Sequence, residues 1–268
     1  GGLTSSRKAG AKIAKGEYVI CVDGDDYVEQ GYFSCVARSL DEFNPDMVVL
    51  SHYSLEDNKK ILRKDFVVQG LLQDKEYEEV RDKFIYDPTD KNISNPGIIS
   101  YSLWCKVVRR EIYVKAQEQV DDKIVIGEDM LCSLYCLQLA KSMVCLNDSF
   151  YVYRILNNSM MHSYNVKKFE HFENTVKALV ESDIVDNRRI YAYSFHALCN
   201  EYAGIAESVN SISEFRDKIK ETQKFKLLYD MASRVDKSNC DLASRFKIWL
   251  VNNKKYNLIF LLLKLKNR

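Results

Sequence analysis

The feature that most constrains this chain is Tyr18-Val-Ile-Cys-Val22, an unbroken apolar run that stops abruptly at Asp23-Gly24-Asp25-Asp26. A strand with one wet face would alternate, whereas a continuous run suits a strand covered on both faces. Helices must then flank it. The segment Thr4 to Lys15 reads as one such helix, with Thr4, Ser5 or Ser6 as a cap and Gly16 as its stop. Tyr32, Phe33, Val36, Ala37, Leu40 and Phe43 recur at helical spacing before Asn44-Pro45 ends the pattern. Met47 to Leu50 is the next apolar strand. Helix, strand, helix, strand predicts an α/β layer architecture with a mixed sheet and flanking helices.

Farther along, Asp74 to Tyr86 predicts a charged helix, 87–100 a loop, and Arg109 to Gln119 a helix after the apolar, aromatic stretch Tyr101 to Val108. Gly127-Glu128-Asp129 opens a helix carrying Met130, Leu131, Leu134 and Leu137 on one side. Met143 to Leu146 and Phe150 to Ile155 read as two strands. From Lys167 onward helix-length segments dominate, which predicts a sheet domain over 1–165 and an α-helical region over 166–268. A sheet that begins with a helix and has one obvious central strand is expected to need further strands upstream of Gly1.

With 10 Gly and 3 Pro in 268 residues, composition excludes a collagen-like or Pro-rich linker protein. Net charge is +1, from 39 basic and 38 acidic residues, which gives no polyelectrolyte footprint for nucleic acid. The balance is uneven: residues 245–268 hold seven Lys/Arg and no Asp/Glu, leaving 32 basic against 38 acidic elsewhere. In that tail Phe246, Trp249, Leu250 and Leu258 to Leu263 alternate with Lys247, Lys254, Lys255, Lys264 and Lys266. It reads either as a last packing helix or as an interfacial helix held by an anionic membrane surface. The polar helices from Lys167 to Lys237 suit either a homo-oligomer or acceptor recognition. Eight cysteines without a CxxC pair or zinc spacing predict reduced, mostly buried thiols. No run approaches the ~20 apolar residues of a spanning helix. The expected location is cytoplasmic, peripheral on the inner face of the plasma membrane if the tail binds lipid.

Three segments could carry chemistry. The acidic tetrad at the end of the apolar strand gathers three mutually repelling carboxylates where open α/β sheets bind ligands. Hard oxygens of this kind suit Mg2+ or Mn2+ on a diphosphate, or form a solvated acidic turn. An EF-hand loop fails because its sixth position is Val28. Glu128 and Asp129 at a helix N-terminus are either caps or a general base. Tyr151-Val-Tyr153-Arg154, followed by Ser159 and His162, could present donors to phosphate.

Taken together, GGLTSSRKAG, GEYVICVDGDD, Trp104-Cys-Lys106, GEDM and YVYR…Ser159 resemble the family 2 glycosyltransferases of the GT-A fold, above all the bacterial enzymes that build capsular, cell-wall or exopolysaccharide chains. The resemblance covers Gly1 to His162. It implies that Asp23 and Asp25 form a DxD pair, the first meeting the nucleotide ribose and the second ligating Mg2+ or Mn2+ on a nucleotide-sugar. It implies Asp129 as the base for an acceptor hydroxyl on a glycan or lipid-linked acceptor, with Glu128 supporting it. Arg7 would border the nucleotide pocket, and Trp104 and Lys106 would line the acceptor side. Arg154 and Ser159 would close over the diphosphate, and His162 would add a metal ligand. Where the family usually has Asn after the matching arginine, this chain has Lys8. The family's strand–helix–strand half that holds the nucleotide base has no counterpart in these 268 residues, so weak donor binding is expected. A single base implies inverting, one-step displacement. Two rivals use the same residues: a metal-dependent nucleotidyl- or phosphotransferase, and a non-catalytic carbohydrate-binding remnant.

Overall fold

The computed structural model describes residues 2–64, 69–86, 90–93, 99–155 and 164–266. Contacts divide the chain into two units, one of 1–84 with 98–156 and one of 85–97 with 157–268. The expected boundary near Asn165 differs in one segment: the described residues 85, 86 and 90–93 group with the helices. Within the helical unit, the Asp241 amide donates to Lys91 O at 2.9 Å and the Ile93 amide to Ser244 Oγ at 3.2 Å.

The sheet unit is built on two long parallel strands, β3 (Met47–Glu56) and β7 (Ser142–Arg154). Four short strands pair with them, β2 (Tyr27–Val28), β4 (Lys59–Arg63), β5 (Gly70–Gln73) and β6 (Lys106–Arg109), and β1 (Tyr18–Ile20) pairs with β6. The main order is β1-β6-β3-β7-β2, with β4 also on β3 and β5 also on β7. Apart from the β3–β7 pair, every pairing is antiparallel. Each long strand thus serves two short ones end to end. β6 takes Met47–Val49 and β4 takes His52–Glu56, while β5 takes Ser142–Cys145 and β2 takes Tyr151–Val152.

The helices of this unit are α1 (Leu3–Ile13), α2 (Tyr32–Phe43), α3 (Asp74–Asp82), α4 (Arg110–Gln119) and α5 (Glu128–Leu139). Tyr32 and Val36 of α2 pack on Val48, Leu50, Val107 and Val144. Met47 and Val49 alternate with those residues on β3 and are equally buried, so both faces of β3 are covered. The run Tyr18–Val22, expected to be the covered strand, instead supplies β1 at the end of the strand order, with Tyr18–Ile20 half-buried and Val22 exposed. At Gly31 (φ 97°) an added Cβ would sit 3.1 Å from the Phe150 ring, so the entry to α2 requires glycine.

Two expectations are corrected. Met143–Leu146 and Phe150–Ile155 are one strand, because β3 continues alongside and the polar residues between them are absorbed as bulges opposite Leu50–His52. The β3–β4 hairpin was not anticipated. Its turn is Asp57-Asn58, both with positive φ (46° and 65°), the backbone of a two-residue hairpin turn that Asp and Asn tolerate. The alternating pattern is weak there because β4 is exposed throughout.

The second unit is helical, as expected: α6 (Lys167–Ser182), α7 (Asn187–Ser208), α8 (Ile212–Thr222), α9 (Lys226–Ser233), α10 (Leu242–Asn252) and α11 (Tyr256–Lys266). Asp186, Ser211 and Asp241 cap α7, α8 and α10 by accepting from first-turn amides. All eight cysteines are free thiols, six of them buried. Among the described residues no helix is long and apolar enough to cross a membrane.

Candidate active site

The first helix places the central cation. Thr4 Oγ1 donates to Ile124 O at 3.1 Å, and one turn on Lys8 Nζ reaches Val120 O and Asp122. Lys8, where the resembling family has Asn, thereby clamps α1 to the 120–124 segment. Arg7 lies between these anchors and is directed inward. Its Nη2 donates to Asp23 Oδ1 at 3.1 Å, and its Nη1 donates to Asp129 Oδ1 and lies 3.4 Å from Glu128 Oε1. Three carboxylates from two distant segments thus share one guanidinium whose side chain is 8% exposed.

The charge balance is incomplete. Burial works to lower the basicity of Arg7, yet Asp129, Asp23 and Glu128 together hold it above the ordinary arginine value. Burial raises Asp23 above the usual carboxylate range despite Arg7, and Asp129 adds to the rise. Burial and the adjacent Asp129 push Glu128 up to about 7. One cation offsets part of the repulsion and leaves the pocket electronegative. Gly127 (φ 86°) starts α5, so both acids stand in the first turn, where the helix dipole favours negative charge.

Glu128 gives a stability prediction. Its folded pKa lies above its ordinary 4.5, so the folded state binds the extra proton and its contribution is lost as pH rises from about 4.5 through about 7. Glu128→Gln removes that loss. Urea denaturation should show the variant stabilised by about 1–3 kcal/mol at pH 8, with the gain gone near pH 4. Equal effects at both pH values would show that burial does not govern this carboxyl.

The acidic loop is held from β7. The buried Tyr151 hydroxyl donates to Asp26 Oδ2 at 2.7 Å and accepts from the Asp23 amide at 3.1 Å. The Arg154 amide donates to Asp26 Oδ1 at 2.9 Å, and its Nε donates to Asp25 O. Asp26, expected among the cation-binding carboxylates, and Tyr151, expected in a phosphate-facing segment, instead shape the loop. Burial raises Asp26, opposed by those two donors. Asp26 being engaged, Asp25 is left as the exposed carboxylate, with no hydrogen bond or ion pair of its side chain among the described residues. One open carboxylate beside a partly shared one offers the hard oxygen ligands that a Mg2+ or Mn2+ ion would need. No ready-made cage of three or more His, Cys, Asp or Glu exists among the described residues.

Trp104 and Lys106 differ from expectation. Trp104 is 5% exposed, stacked on Tyr151 (4.5 Å between ring centroids) and Tyr153 (5.6 Å), with the edge of His52 at 4.6 Å. Lys106 is 1% exposed, and its ammonium donates to Ser100 O and Ser102 O at 2.6 Å each. Neither side chain is open to an acceptor. They brace the turn whose Leu103 amide meets Asp129 Oδ2 at 3.4 Å. The expected substrate contacts are replaced by support, because a buried ammonium must use its donors on nearby carbonyls. Ser159 and His162 lie outside the described residues.

Residues 1–115 match the family model described as Glycosyl transferase family 2. The chain is 27% identical over 240 residues to the uncharacterized glycosyltransferase EpsJ of Bacillus subtilis, covering 86% of this chain and 66% of that protein. It is 25% identical over 167 residues to glycosyltransferase GlyA of Streptococcus pneumoniae, covering 62% of this chain and 23% of that one. The chain therefore spans from about a quarter to just under two thirds of these two curated relatives. Its fold is similar over 98% of its length to Staphylococcus aureus TarS 1-349 in complex with UDP, covering 70% of that chain, with a TM-score of 0.61 at 16% identity. The motif order, the sheet with its flanking helices and these likenesses agree: residues 1–115 match the family 2 glycosyltransferases, and the chain has a GT-A-like fold.

Proposed function

We propose that this chain carries the transfer site of an inverting glycosyltransferase that moves a sugar from a nucleotide-sugar to a hydroxyl of a glycan or lipid-linked acceptor in bacterial polysaccharide synthesis. The observation that supports this most is the convergence of Asp23, Glu128 and Asp129 on Arg7, beside the exposed Asp25. A solvated acidic turn would not bring carboxylates from two distant segments around one buried cation. The UDP held by TarS favours a UDP-sugar.

In this reading Asp129 takes the acceptor proton, and the acceptor oxygen attacks the anomeric carbon as the bond to the diphosphate breaks on the opposite face. One carboxylate suffices for a single displacement. Asp129 Oδ1 is engaged by Arg7 without substrate, so an arriving diphosphate competes for that guanidinium and uncovers the base. Arg154 at the end of β7 and Arg7 then face the negative charge that grows on the leaving diphosphate. Asp25 and Asp23 would hold Mg2+ or Mn2+, which when bound neutralises the same charge. Ser159 is assigned to the diphosphate and His162 to the metal by family resemblance alone.

Product analysis tests this reading against a nucleotidyltransferase. With a UDP-sugar, Mn2+ and a glycan acceptor, free UDP and a lengthened glycan are expected; release of pyrophosphate would overturn the assignment. Chelation should abolish turnover, and Asp25→Asn should lower it by about 10²-fold with weakened stimulation by Mn2+. Unchanged metal dependence in that variant would remove Asp25 from the site.

A further inference from the structure

We infer that α10 and α11 form a docking surface for an anionic lipid bilayer. The last helix packs and is exposed at once. Ile259 and Phe260 are buried, the Phe260 ring lies 5.3 Å from that of Phe215, and Tyr256 lies 6.2 Å from Tyr202. On another side of the same helix Leu258, Leu261, Leu262 and Leu265 are between 40% and 65% exposed. Their spacing of i, i+3, i+4 and i+7 makes them one continuous stripe. The preceding helix does the same: Leu242 (83%), Phe246 (45%) and Trp249 (46%) fall at i, i+4 and i+7, and the Phe246 and Trp249 rings stack at 6.1 Å. Single exposed leucines are ordinary, but two successive helices each showing an apolar stripe are not.

Charge selects the occupant. Residues 245–268 carry seven basic and no acidic side chains in a chain that is otherwise net acidic. At about 100° per residue, Lys264 and Lys266 fall on opposite flanks of the leucine stripe of α11. The Lys255 ammonium lies 5.7 Å over the Trp249 ring and that of Lys264 5.5 Å over Phe260, so their stems cover apolar surface while their charges remain at its edge. Arg245 adds charge but is tied locally, donating to Ser238 O and Cys240 O. An apolar stripe rimmed by cations matches a bilayer interface, where acyl chains take up the leucines and indole while anionic headgroups meet the lysines. The helices are too short to span a membrane, so the contact lies in its plane. The inference rests on the tail alone and stands apart from the proposed transfer reaction.

The test is co-sedimentation with vesicles of phosphatidylcholine alone or with about one-third phosphatidylglycerol, at a fixed lipid concentration. Partition into the anionic vesicles should be at least ~10-fold stronger and should weaken as salt shortens the Debye length from ~10 Å at 0.1 M to ~3 Å at 1 M. Trp249 emission should shift to the blue on binding, and Trp249→Phe should abolish the shift, since the remaining Trp104 is already buried. Leu261→Asp with Leu265→Asp alters two residues that are 48% and 65% exposed and should abolish partition without unfolding the chain. Changing Lys254, Lys255, Lys264 and Lys266 to Gln should remove the preference for anionic lipid. Absence of partition, or partition unaffected by both sets, would overturn the inference. So would a dimer, seen by ultracentrifugation, that the double Asp variant dissociates while the parent ignores vesicles; a second copy would then cover this face.

Discussion

Asp129→Asn is expected to lower kcat for sugar transfer by about 10³-fold while leaving donor KM nearly unchanged. The amide keeps the shape of the carboxylate and its one oxygen can still accept from Arg7; its NH2 replaces only the oxygen that meets the Leu103 amide at 3.4 Å, so the pocket should stay largely assembled. What it loses is the capacity to take a proton from the acceptor. A base acts only as the reaction proceeds, so removing it should leave donor binding intact, which a split between kcat and KM detects. Single-turnover release of UDP, paired with calorimetric donor titration, measures the two separately. A loss below about tenfold would show that Asp129 is a cap on α5 and that the base lies elsewhere. Equal losses in kcat and donor affinity would show that it serves mainly to hold Arg7.

Trp104→Ala is expected to destabilise the protein by about 3–5 kcal/mol, the range for deleting a buried large aromatic side chain. The indole stacks on Tyr151 and Tyr153 and meets the edge of His52, so its removal opens a cavity against three rings. Tyr151 is also the residue whose hydroxyl holds Asp26 and the Asp23 amide. Loosening the stack should therefore disorder the acidic loop as well as lower stability. Trp104→Phe retains one ring of the stack and should cost less. Urea denaturation of the three forms gives the ranking, and a Trp104→Ala cost below about 1 kcal/mol would place the ring in a site that collapses freely. The substitution also separates support from contact. A residue lining the acceptor site would change acceptor KM at unchanged stability, whereas a supporting one changes stability first.

Much of this site could be read from the chain because its chemistry is written in short local segments. Asp23-Gly24-Asp25-Asp26 follows an apolar run, and Gly127-Glu128-Asp129 opens an apolar helix. Each announces a strand end or a helix start, where backbone polarity and ligand access coincide. The pairings that the sequence does not show act at long range. Arg7 and Asp129 are 122 residues apart, Tyr151 and Asp26 are 125 apart, and nothing local to either partner marks the pairing. Two further signals are local to the sequence. Asp57-Asn58 is a turn sequence for a two-residue hairpin, and Tyr151 and Tyr153 share a strand face with room for a third ring.

Periodicity and punctuation alone determined the alternation of helices and strands, the helical character after Lys167 and the gathering of acids past Val22, since these follow from backbone preferences and solvent exposure acting over a few residues. Only the tertiary structure decided which acid is open and which is tied, that Lys106 and Trp104 turn inward, and that Arg7 is shared among three carboxylates. A side chain's partner is settled by where remote strands place it. At Lys106 the cost of burying an unpaired ammonium outweighed its availability to a ligand.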